Sequence, residues 1–310
     1  MGHAPDRGIK ALILAPTREL AIQIEESFRI YGAATGLKNA CVYGGISQHT
    51  QVNKLKRGVD ILIATPGRLL DLIQQRFIKL DTIRYFVLDE ADRMLDMGFI
   101  NDIKKIVAML PKKRQTLFFA ATITPDIQKL ANSILSSPAM VSVPPEPLVE
   151  GLITQSLYFV KKEDKRFLLK HVMQHHAIEH ALVFTRTKHG ADKVARDLNK
   201  NGIKAEAIHG DKSQNNREKS LKGFRNGMIR VLVATDVVSR GIDIDRLSHV
   251  INYEIPEVPA TYVHRIGRTG RAGSKGTALS FCSSDERQYL KDIHKVLRKE
   301  INVVRIHPFS

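Results

Sequence analysis

The residues best suited to chemistry are Asp-Glu-Ala-Asp at positions 89 to 92. They follow the apolar run Tyr85 to Leu88, which predicts a buried parallel strand ending in carboxylates. Ligands of open α/β sheets bind at that end of the strands. Asp89 could hold Mg²⁺ through water there, and Glu90 could orient or deprotonate an attacking water, as nucleoside triphosphate hydrolysis requires. The alternative is that Asp89 or Asp92 only caps the next helix.

Two further segments lie between a predicted strand and a predicted helix, Pro-Thr-Arg-Glu-Leu at 16 to 20 and Thr-Pro-Gly-Arg at 65 to 68. Free N–H groups at a helix start, joined by Arg18 or Arg68, suit a phosphate. The glycine pair at 44 and 45 adds closely approachable backbone. Together the segments could bind successive phosphates of one strand without sequence preference. Ordinary helix capping by Thr17 and Thr65 is the alternative.

The densest cationic cluster is His-Arg-Ile-Gly-Arg-Thr-Gly-Arg at 264 to 271. Its three arginines alternate with glycines, so we expect the guanidinium groups to converge on phosphates, as arginine fingers do. Upstream, the segment 235 to 243 follows another predicted strand and combines hydroxyl, carboxylate and arginine groups. The alternative for both segments is a solvated basic loop.

Short apolar strands alternate with amphipathic helices along the whole chain, which is typical of βαβ units and parallel sheets. In the first half the predicted strands are 11–15, 40–43, 61–64, 85–88 and 116–119, and the helices 19–31, 48–56, 67–75 and 125–135. In the second half the strands are 154–160, 181–184, 204–208, 231–234, 249–253 and 276–281, and the helices 165–174, 190–201, 214–225 and 259–265. Three prolines mark 142–151 as a linker, so we expect domains at 1–141 and 152–310 with a cleft between them.

The chain has 310 residues, enough for two domains, and its 48 Lys and Arg against 32 Asp and Glu favour a polyanionic partner such as nucleic acid. Cys41 and Cys282 have neither disulfide-framework nor metal-site spacing.

A cluster of histidines predicts a solvated helix face rather than a metal site, because no HExxH-type motif accompanies it: His171, His175 and His180, with His176. Without an apolar leader or membrane-length run, we expect a cytoplasmic protein that contacts no membrane.

Taken in order, these motifs resemble those of DEAD-box ATP-dependent RNA helicases, most closely the bacterial RhlE type. The match also includes Val-Phe-Thr-Arg-Thr-Lys at 183 to 188 and Gln214 to Arg217, and it runs through nearly the whole chain. The resemblance implies an α/β fold of two tandem RecA-like parallel-sheet domains that close around ATP, Mg²⁺ and RNA. It implies ATP-dependent unwinding of short duplexes or remodelling of ribonucleoproteins.

The resemblance also implies roles for individual residues. Asp89 would handle Mg²⁺, Glu90 the hydrolytic water, and Arg268 and Arg271 the γ-phosphate. Nucleotide contacts would fall to Asp92, Gly241, Asp243 and His264. RNA contacts would fall to Pro16, Thr17, Arg18, Gly45, Thr65, Pro66, Gly67, Arg68, Thr185, Gln214, Arg217, Thr235 and Arg240.

The sequence departs from the family pattern ahead of residue 16. The family's glutamine motif and Walker A loop precede that point, whereas only Met1 to Lys10 lie before the first predicted strand here. We therefore expect an N-terminally truncated first domain, a sheet with an exposed edge and loss of most first-domain contacts to the β- and γ-phosphates.

A second departure lies after the strand that follows Asp92. Ala120, Ala121 and Thr122 stand where the family usually has Ser-Ala-Thr, whose serine is thought to link the acidic motif to strand separation. Ala120 lacks that hydroxyl, and Thr122 could compensate in part. The substitution therefore concerns coupling rather than binding. Ser239, where many relatives have Ala, has no clear consequence.

Three functions remain open from the sequence. The first is an RNA helicase; the second is an RNA-binding remnant without hydrolysis; the third is a module completed by a polypeptide that carries the Walker A loop. We expect a monomer whose partners, besides RNA with little sequence preference, are ribosome-assembly or RNA-decay factors.

Overall fold

The computed structural model describes residues 8–142, 152–176, 178–236, 247–270 and 275–310. The chain divides into two compact units, Met1–Val141 and Ser142–Ser310. Apart from Ser142, the predicted linker at 142–151 lies outside the described residues.

The first unit has a parallel sheet with strand order β2-β3-β1-β4-β5. Its strands are β1 (Ala11–Leu14), β2 (Asn39–Val42), β3 (Ile61–Ala64), β4 (Tyr85–Leu88) and β5 (Gln115–Phe118). Its helices are α1 (Arg18–Tyr31), α2 (His49–Lys56), α3 (Pro66–Gln74), α4 (Ala91–Asp96), α5 (Ile100–Ala108) and α6 (Pro125–Ile134).

Both faces of the sheet are covered at β1, β2 and β3, each of which has three successive buried residues, whereas Tyr85 of β4 is 50% exposed. Leu12 and Leu14 belong to one buried cluster, and Ile13 between them belongs to another. Successive residues of one strand thus enter cores on opposite faces of the sheet. Strand β5 lies at the sheet edge, and beside it Phe119 and Ile123 are 51% and 58% exposed.

The second unit has a larger parallel sheet of order β12-β6-β11-β10-β7-β9-β8. The strands are β6 (Ile153–Phe159), β7 (Ala181–Thr185), β8 (Ala205–Ile208), β9 (Val231–Thr235), β10 (His249–Asn252), β11 (Gly276–Cys282) and β12 (Asn302–Val303). The helices are α7 (Lys165–His175), α8 (Lys188–Lys200), α9 (Gln214–Arg225), α10 (Pro259–Ile266) and α11 (Arg287–Leu297), with a 3₁₀ turn at Ser284–Glu286.

The predicted fold class of two parallel-sheet α/β units is confirmed, and the predicted strands and helices correspond to observed ones within two residues at most ends. Helix starts follow local chemistry: Thr17 accepts a hydrogen bond from the Leu20 N–H at the start of α1, and Thr124 accepts one from Ile127 at the start of α6. Helices α4, α5 and α11 and strand β12 were not among the predicted elements. No helix among the described residues is long and apolar enough to span a membrane.

Candidate nucleotide and RNA site

The predicted motifs of the first unit meet at one edge of its sheet. The strand register pairs Leu14 with both Ala64 and Leu88, and Leu88 with Phe118. The segments that follow these residues therefore emerge side by side. This placement accounts for four motifs that are distant in sequence, at 16–20, 65–68, 89–92 and 120–122.

The acidic motif has a constrained backbone at its centre. Glu90 precedes α4 with φ 49° and ψ 51°, the left-handed conformation, which is uncommon for a residue with a β-carbon. The Asp89 carboxylate accepts a hydrogen bond from the Glu90 N–H at 2.9 Å. The Glu90 carboxylate accepts one from Arg93 at 3.1 Å, and Arg93 is buried. Glu90, the residue that precedes α4, makes no side-chain capping hydrogen bond.

The environment of Asp89 favours a cation. Burial raises the pKa of the Asp89 carboxyl, and the neighbouring Glu90 and Asp92 carboxylates raise it further, while the Glu90 N–H lowers it. A cation held by Asp89 would relieve this accumulation of negative charge. Among the described residues there is no group of three or more His, Cys, Asp or Glu placed to hold a metal by protein ligands alone. The Mg²⁺ that Asp89 is expected to hold through water stays a prediction.

Asp92 connects the acidic motif to the segment after β5. One carboxylate oxygen, Oδ2, accepts hydrogen bonds from the Thr122 N–H at 2.9 Å and from the Thr122 hydroxyl at 2.8 Å. A second link is the hydrogen bond from the Ala91 N–H to the Phe119 carbonyl at 2.9 Å. The two segments are therefore joined through Thr122, although Ala120 has no hydroxyl. The coupling role of residues 120–122 remains a prediction.

On the RNA side, the Arg18 guanidinium lies directly against Gly45. A β-carbon placed on Gly45 would lie 2.0 Å from Arg18 Nη1, and Gly45 has φ +81°. Glycine suits this backbone, and a larger residue at this position would displace the Arg18 guanidinium. The motif at 16–20 and the glycine pair are thus in contact, as a shared phosphate surface requires.

Arg68 reaches the same loop from α3. Its Nη2 donates to the Ile46 carbonyl at 3.2 Å and its Nε lies 3.3 Å from Asp71. Its Nη1 is buried without a hydrogen-bond partner among the described residues.

The two threonines that precede α1 and α3 differ in capping. Thr65 makes no side-chain capping bond at the start of α3, whereas Thr17 does cap α1. The capping alternative therefore holds for Thr17 and not for Thr65. Pro66 occupies the first turn of α3, and no atom comes within 4 Å of a β-carbon built on Gly67.

The loop also depends on a residue that the sequence analysis missed. Gln51 on α2 accepts a hydrogen bond from the Tyr43 N–H and donates one to the Tyr43 carbonyl, both at 3.1 Å. This amide fixes the backbone just before Gly44 and is itself buried. An amide shortly after a glycine pair gives no distinctive sequence signal.

In the second unit several predicted RNA residues are buried. Thr185 is fully buried and donates its hydroxyl to the Thr187 carbonyl at 3.2 Å. Gln214 and Arg217 share a 3.4 Å hydrogen bond on α9, and Thr235 ends β9. Their roles remain predictions. The predicted residues Arg240, Gly241, Asp243 and Arg271 lie outside the described residues.

The arginines at 265 and 268 occupy different environments. Helix α10 ends at Ile266 and Gly267 follows as its C-cap, so Arg265 lies within the helix and Arg268 beyond it. Arg265 is 1% exposed and forms hydrogen bonds with Asp236, Asn252 and the Glu254 carbonyl. The expectation that all three arginines converge on phosphates is therefore wrong for Arg265. Arg268 and His264 are partly exposed, and their predicted roles stay open.

Two family models match this chain. The model described as DEAD/DEAH box helicase matches residues 2–130, and the one described as helicase conserved C-terminal domain matches residues 164–273. The chain is 43% identical over 293 residues to the ATP-dependent RNA helicase CshA of Listeria monocytogenes, covering 94% of this chain and 56% of that protein. It is 43% identical over 302 residues to the ATP-dependent RNA helicase dbp2 of Neurospora crassa, covering 96% and 54%. The chain thus spans little more than half the length of these curated relatives.

Solved structures give the same result. Dbp5 of S. cerevisiae bound to RNA and ADP BeF3 matches with a TM-score of 0.83 at 31% identity, covering 96% of this chain and 78% of that one. The helicase Mss116 bound to ssRNA and UDP-BeF matches with a TM-score of 0.84 at 30% identity, covering 98% and 66%.

Proposed function

Because this chain belongs to the DEAD-box helicase family, we propose that it binds RNA along the sugar–phosphate backbone and couples ATP binding and hydrolysis to local duplex separation or ribonucleoprotein remodelling. The observation that carries the proposal is the contact between Arg18 and Gly45, beside Arg68, at the sheet edge where Asp89 and Glu90 also lie. Cationic side chains and free backbone form a surface for phosphates there, and carboxylates suited to nucleotide chemistry follow the neighbouring strand.

On the RNA side, the groups supplied are general for any base. The Arg68 Nη1 is a buried donor that has no hydrogen-bond partner among the described residues, and a phosphate oxygen bound at this guanidinium would satisfy it. Gly45 keeps its backbone open because it has no side chain. Such contacts position an RNA strand but do not read its sequence, so we propose a partner RNA with little sequence preference.

On the nucleotide side, Asp89 would hold Mg²⁺ through water and the Glu90 carboxylate would orient or deprotonate the attacking water. Mg²⁺, when bound, would neutralise charge on the phosphates. The hydrogen bond from Arg93 fixes the Glu90 carboxylate, and the two bonds from Thr122 fix Asp92. The segment after β5 is thereby held against the acidic motif, which would allow RNA binding to affect the position of the catalytic groups.

A second candidate function is RNA binding without hydrolysis. The contact of Arg18 with Gly45 and the hydrogen bond of Arg68 to the Ile46 carbonyl both lie within the first unit. RNA affinity would therefore persist without nucleotide chemistry.

The two functions differ in turnover. The chain and a Glu90→Gln variant are compared for ATP hydrolysis with and without single-stranded RNA, and for RNA affinity by fluorescence anisotropy. Turnover that RNA stimulates and Glu90→Gln abolishes is the result expected for the helicase. Equal RNA affinity of both proteins, with no turnover above the variant, supports the second candidate. Absence of RNA binding would contradict both.

We further propose, from the sequence, a cytoplasmic monomer that works with ribosome-assembly or RNA-decay factors. Size-exclusion chromatography with light scattering checks the monomer, and association of the tagged protein with ribosomal precursors or a ribonuclease complex checks the partners.

A further inference from the structure

Helix α11 has one face in the core and a cationic face toward solvent. Leu290 and Ile293 of α11 pack with Tyr262 and Ile266 of α10 in a buried cluster. Outside this cluster lie five exposed cations, which together we call the α11 basic face: Arg287, Lys291, Lys295, Arg298 and Lys299. The first three are four residues apart, so they form a stripe with about 6 Å between successive charges.

Few negative charges neutralise this face. Between 287 and 300 the carboxylates are Asp292 and Glu300, against five cations. Lys295 forms an ion pair with Asp292 at 2.8 Å. Among the described residues no acidic group lies within ion-pair distance of Lys291, Arg298 or Lys299. The α11 basic face therefore keeps most of its charge.

Folding does not explain Lys291, the second cation of the stripe. Like charges at i and i+4 destabilise a helix, and cations in the first turns face the positive end of the helix dipole. Arg287 has a structural contact, since its guanidinium lies 5.2 Å from the centre of the Phe159 ring. Lys291 has no comparable contact among the described residues. A polyanion bound at this face would remove the repulsion.

The α11 basic face is distant along the sheet from the second-unit residues predicted to contact RNA. Gln214 and Arg217 lie on α9, which connects β8 and β9 at one side of the sheet. The core under α11 contains Leu157 of β6 and Ala278 of β11, near the opposite side. The face is therefore a separate surface of the second unit.

We propose that the α11 basic face is a second RNA-backbone contact surface, which holds a flanking part of the RNA without base recognition and without nucleotide. This inference rests on the proposed RNA-binding function. RNA is favoured over an anionic membrane because the apolar side chains Leu290 and Ile293 are buried in the protein core, and the single exposed Val296 is too small an apolar surface for α11 to insert into lipid.

The test compares the chain with a triple variant, Lys291→Gln, Arg298→Gln and Lys299→Gln. These side chains are exposed, so circular dichroism and the melting temperature should not change. RNA affinity is measured by anisotropy over a range of salt, with an RNA of about 8 nucleotides and one of about 30, since a single groove covers only a short site. The control variant Lys104→Gln, Lys105→Gln and Lys112→Gln removes equal charge from exposed positions of the first unit.

For the long RNA, we expect the triple variant to bind roughly tenfold more weakly near physiological salt. The slope of log K against log salt should become less steep by about 2, because each phosphate contact contributes about 0.7 for single strands. The short RNA and the control variant should show little change in affinity.

Two results would overturn the inference: a triple variant whose salt slope for the long RNA equals that of the unmodified chain, or an equal loss of affinity in the control variant. Failure of both RNAs to bind the unmodified chain would instead contradict the proposed function. Loss of binding to phosphatidylserine vesicles, with RNA binding unchanged, would assign the face to a membrane and also overturn the inference.

Discussion

Arg265 and Asp236 form a two-point ion pair that joins α10 to the end of β9. Arg265 Nε lies 2.6 Å from Asp236 Oδ1, and Nη2 donates to Oδ2 at 2.8 Å. The remaining guanidinium donor, Nη1, bonds the Asn252 side chain and the Glu254 carbonyl, and the group lies 5.0 Å from the centre of the Phe184 ring. This pair links the segment after Thr235 to the helix that precedes Arg268.

Asp236→Asn should destabilise the second unit by about 3 kcal/mol, because it leaves the buried Arg265 charge without its counterion. Native-state hydrogen exchange, resolved to peptides of β9 and α10, measures the change. Lys295→Gln, which breaks an exposed ion pair with Asp292 in the same unit, should change the exchange of these peptides little. Equal effects of the two substitutions would show that the Arg265 pair is not important for stability.

Three histidines of the second unit should make its stability pH-dependent. Burial lowers the pKa of His307 below the ordinary value of 6.5; its hydrogen bond to the Phe159 carbonyl opposes this shift and His171 adds to it. Burial also lowers the pKa of His176 and of His249. A depressed pKa means that stability is present above about pH 6.5 and is lost as the pH falls through the folded-state values.

Urea unfolding at pH 7.5 and at pH 5.5 checks this dependence, with hydrogen exchange in residues 304–310 as a local measure. His307→Gln should reduce the loss of unfolding free energy at pH 5.5. His49→Gln, at an exposed position in the first unit, should not. A loss at pH 5.5 that is the same in His307→Gln and the unmodified chain would exclude His307 as a contributor.

The two hydrogen bonds to Asp92 predict that Thr122 affects coupling. Thr122→Val keeps the N–H donor but removes the hydroxyl donor, and a hydrogen bond to a charged group is worth about 1.5 kcal/mol. We expect a roughly tenfold loss of duplex separation per ATP hydrolysed, with RNA affinity unchanged. Strand displacement and phosphate release are measured together. Thr122→Ser should restore the ratio of duplex separation to ATP hydrolysis. Equal ratios in the unmodified chain, Thr122→Val and Thr122→Ser would exclude a coupling role for the Thr122 hydroxyl.

The Nη1 of Arg68 has no hydrogen-bond partner in the part of the chain that the structure describes, which predicts a phosphate contact at this guanidinium. Arg68→Gln should weaken RNA binding roughly ten- to hundredfold, since a charge-assisted hydrogen bond is lost. Asp71→Asn removes the ion pair of Arg68 but keeps the guanidinium, so it should have a smaller effect. Anisotropy with single-stranded RNA gives both values, with Arg57→Gln as an exposed control. If Arg68→Gln binds RNA no more weakly than Arg57→Gln, Arg68 makes no such contact.

The order of elements was predictable because buried parallel strands are continuous apolar runs, such as Ile61 to Ala64 and Ala181 to Phe184. The motif residues of the first unit were predictable because strand ends in a parallel sheet converge. Polar tertiary contacts were not. Neither the pairing of Arg265 with Asp236 nor the clamp of Gln51 on Tyr43 follows from local pattern, because each joins residues distant in sequence. The left-handed conformation of Glu90 was also not predicted, since it depends on tertiary constraint rather than on local preference.

The central claim is that the Arg18 and Gly45 contact forms an RNA phosphate surface, and two alanine substitutions test it most directly. Gly45→Ala introduces a β-carbon into the Arg18 guanidinium. Gly36→Ala imposes a similar backbone strain, because Gly36 has φ +71°, but its β-carbon would meet nothing within 4 Å. Affinity for single-stranded RNA is measured for both variants by anisotropy. We expect Gly45→Ala to bind at least roughly tenfold more weakly, as loss of a charge-assisted contact implies, and Gly36→Ala to bind like the unmodified chain. Equal affinities of the two variants would contradict the account.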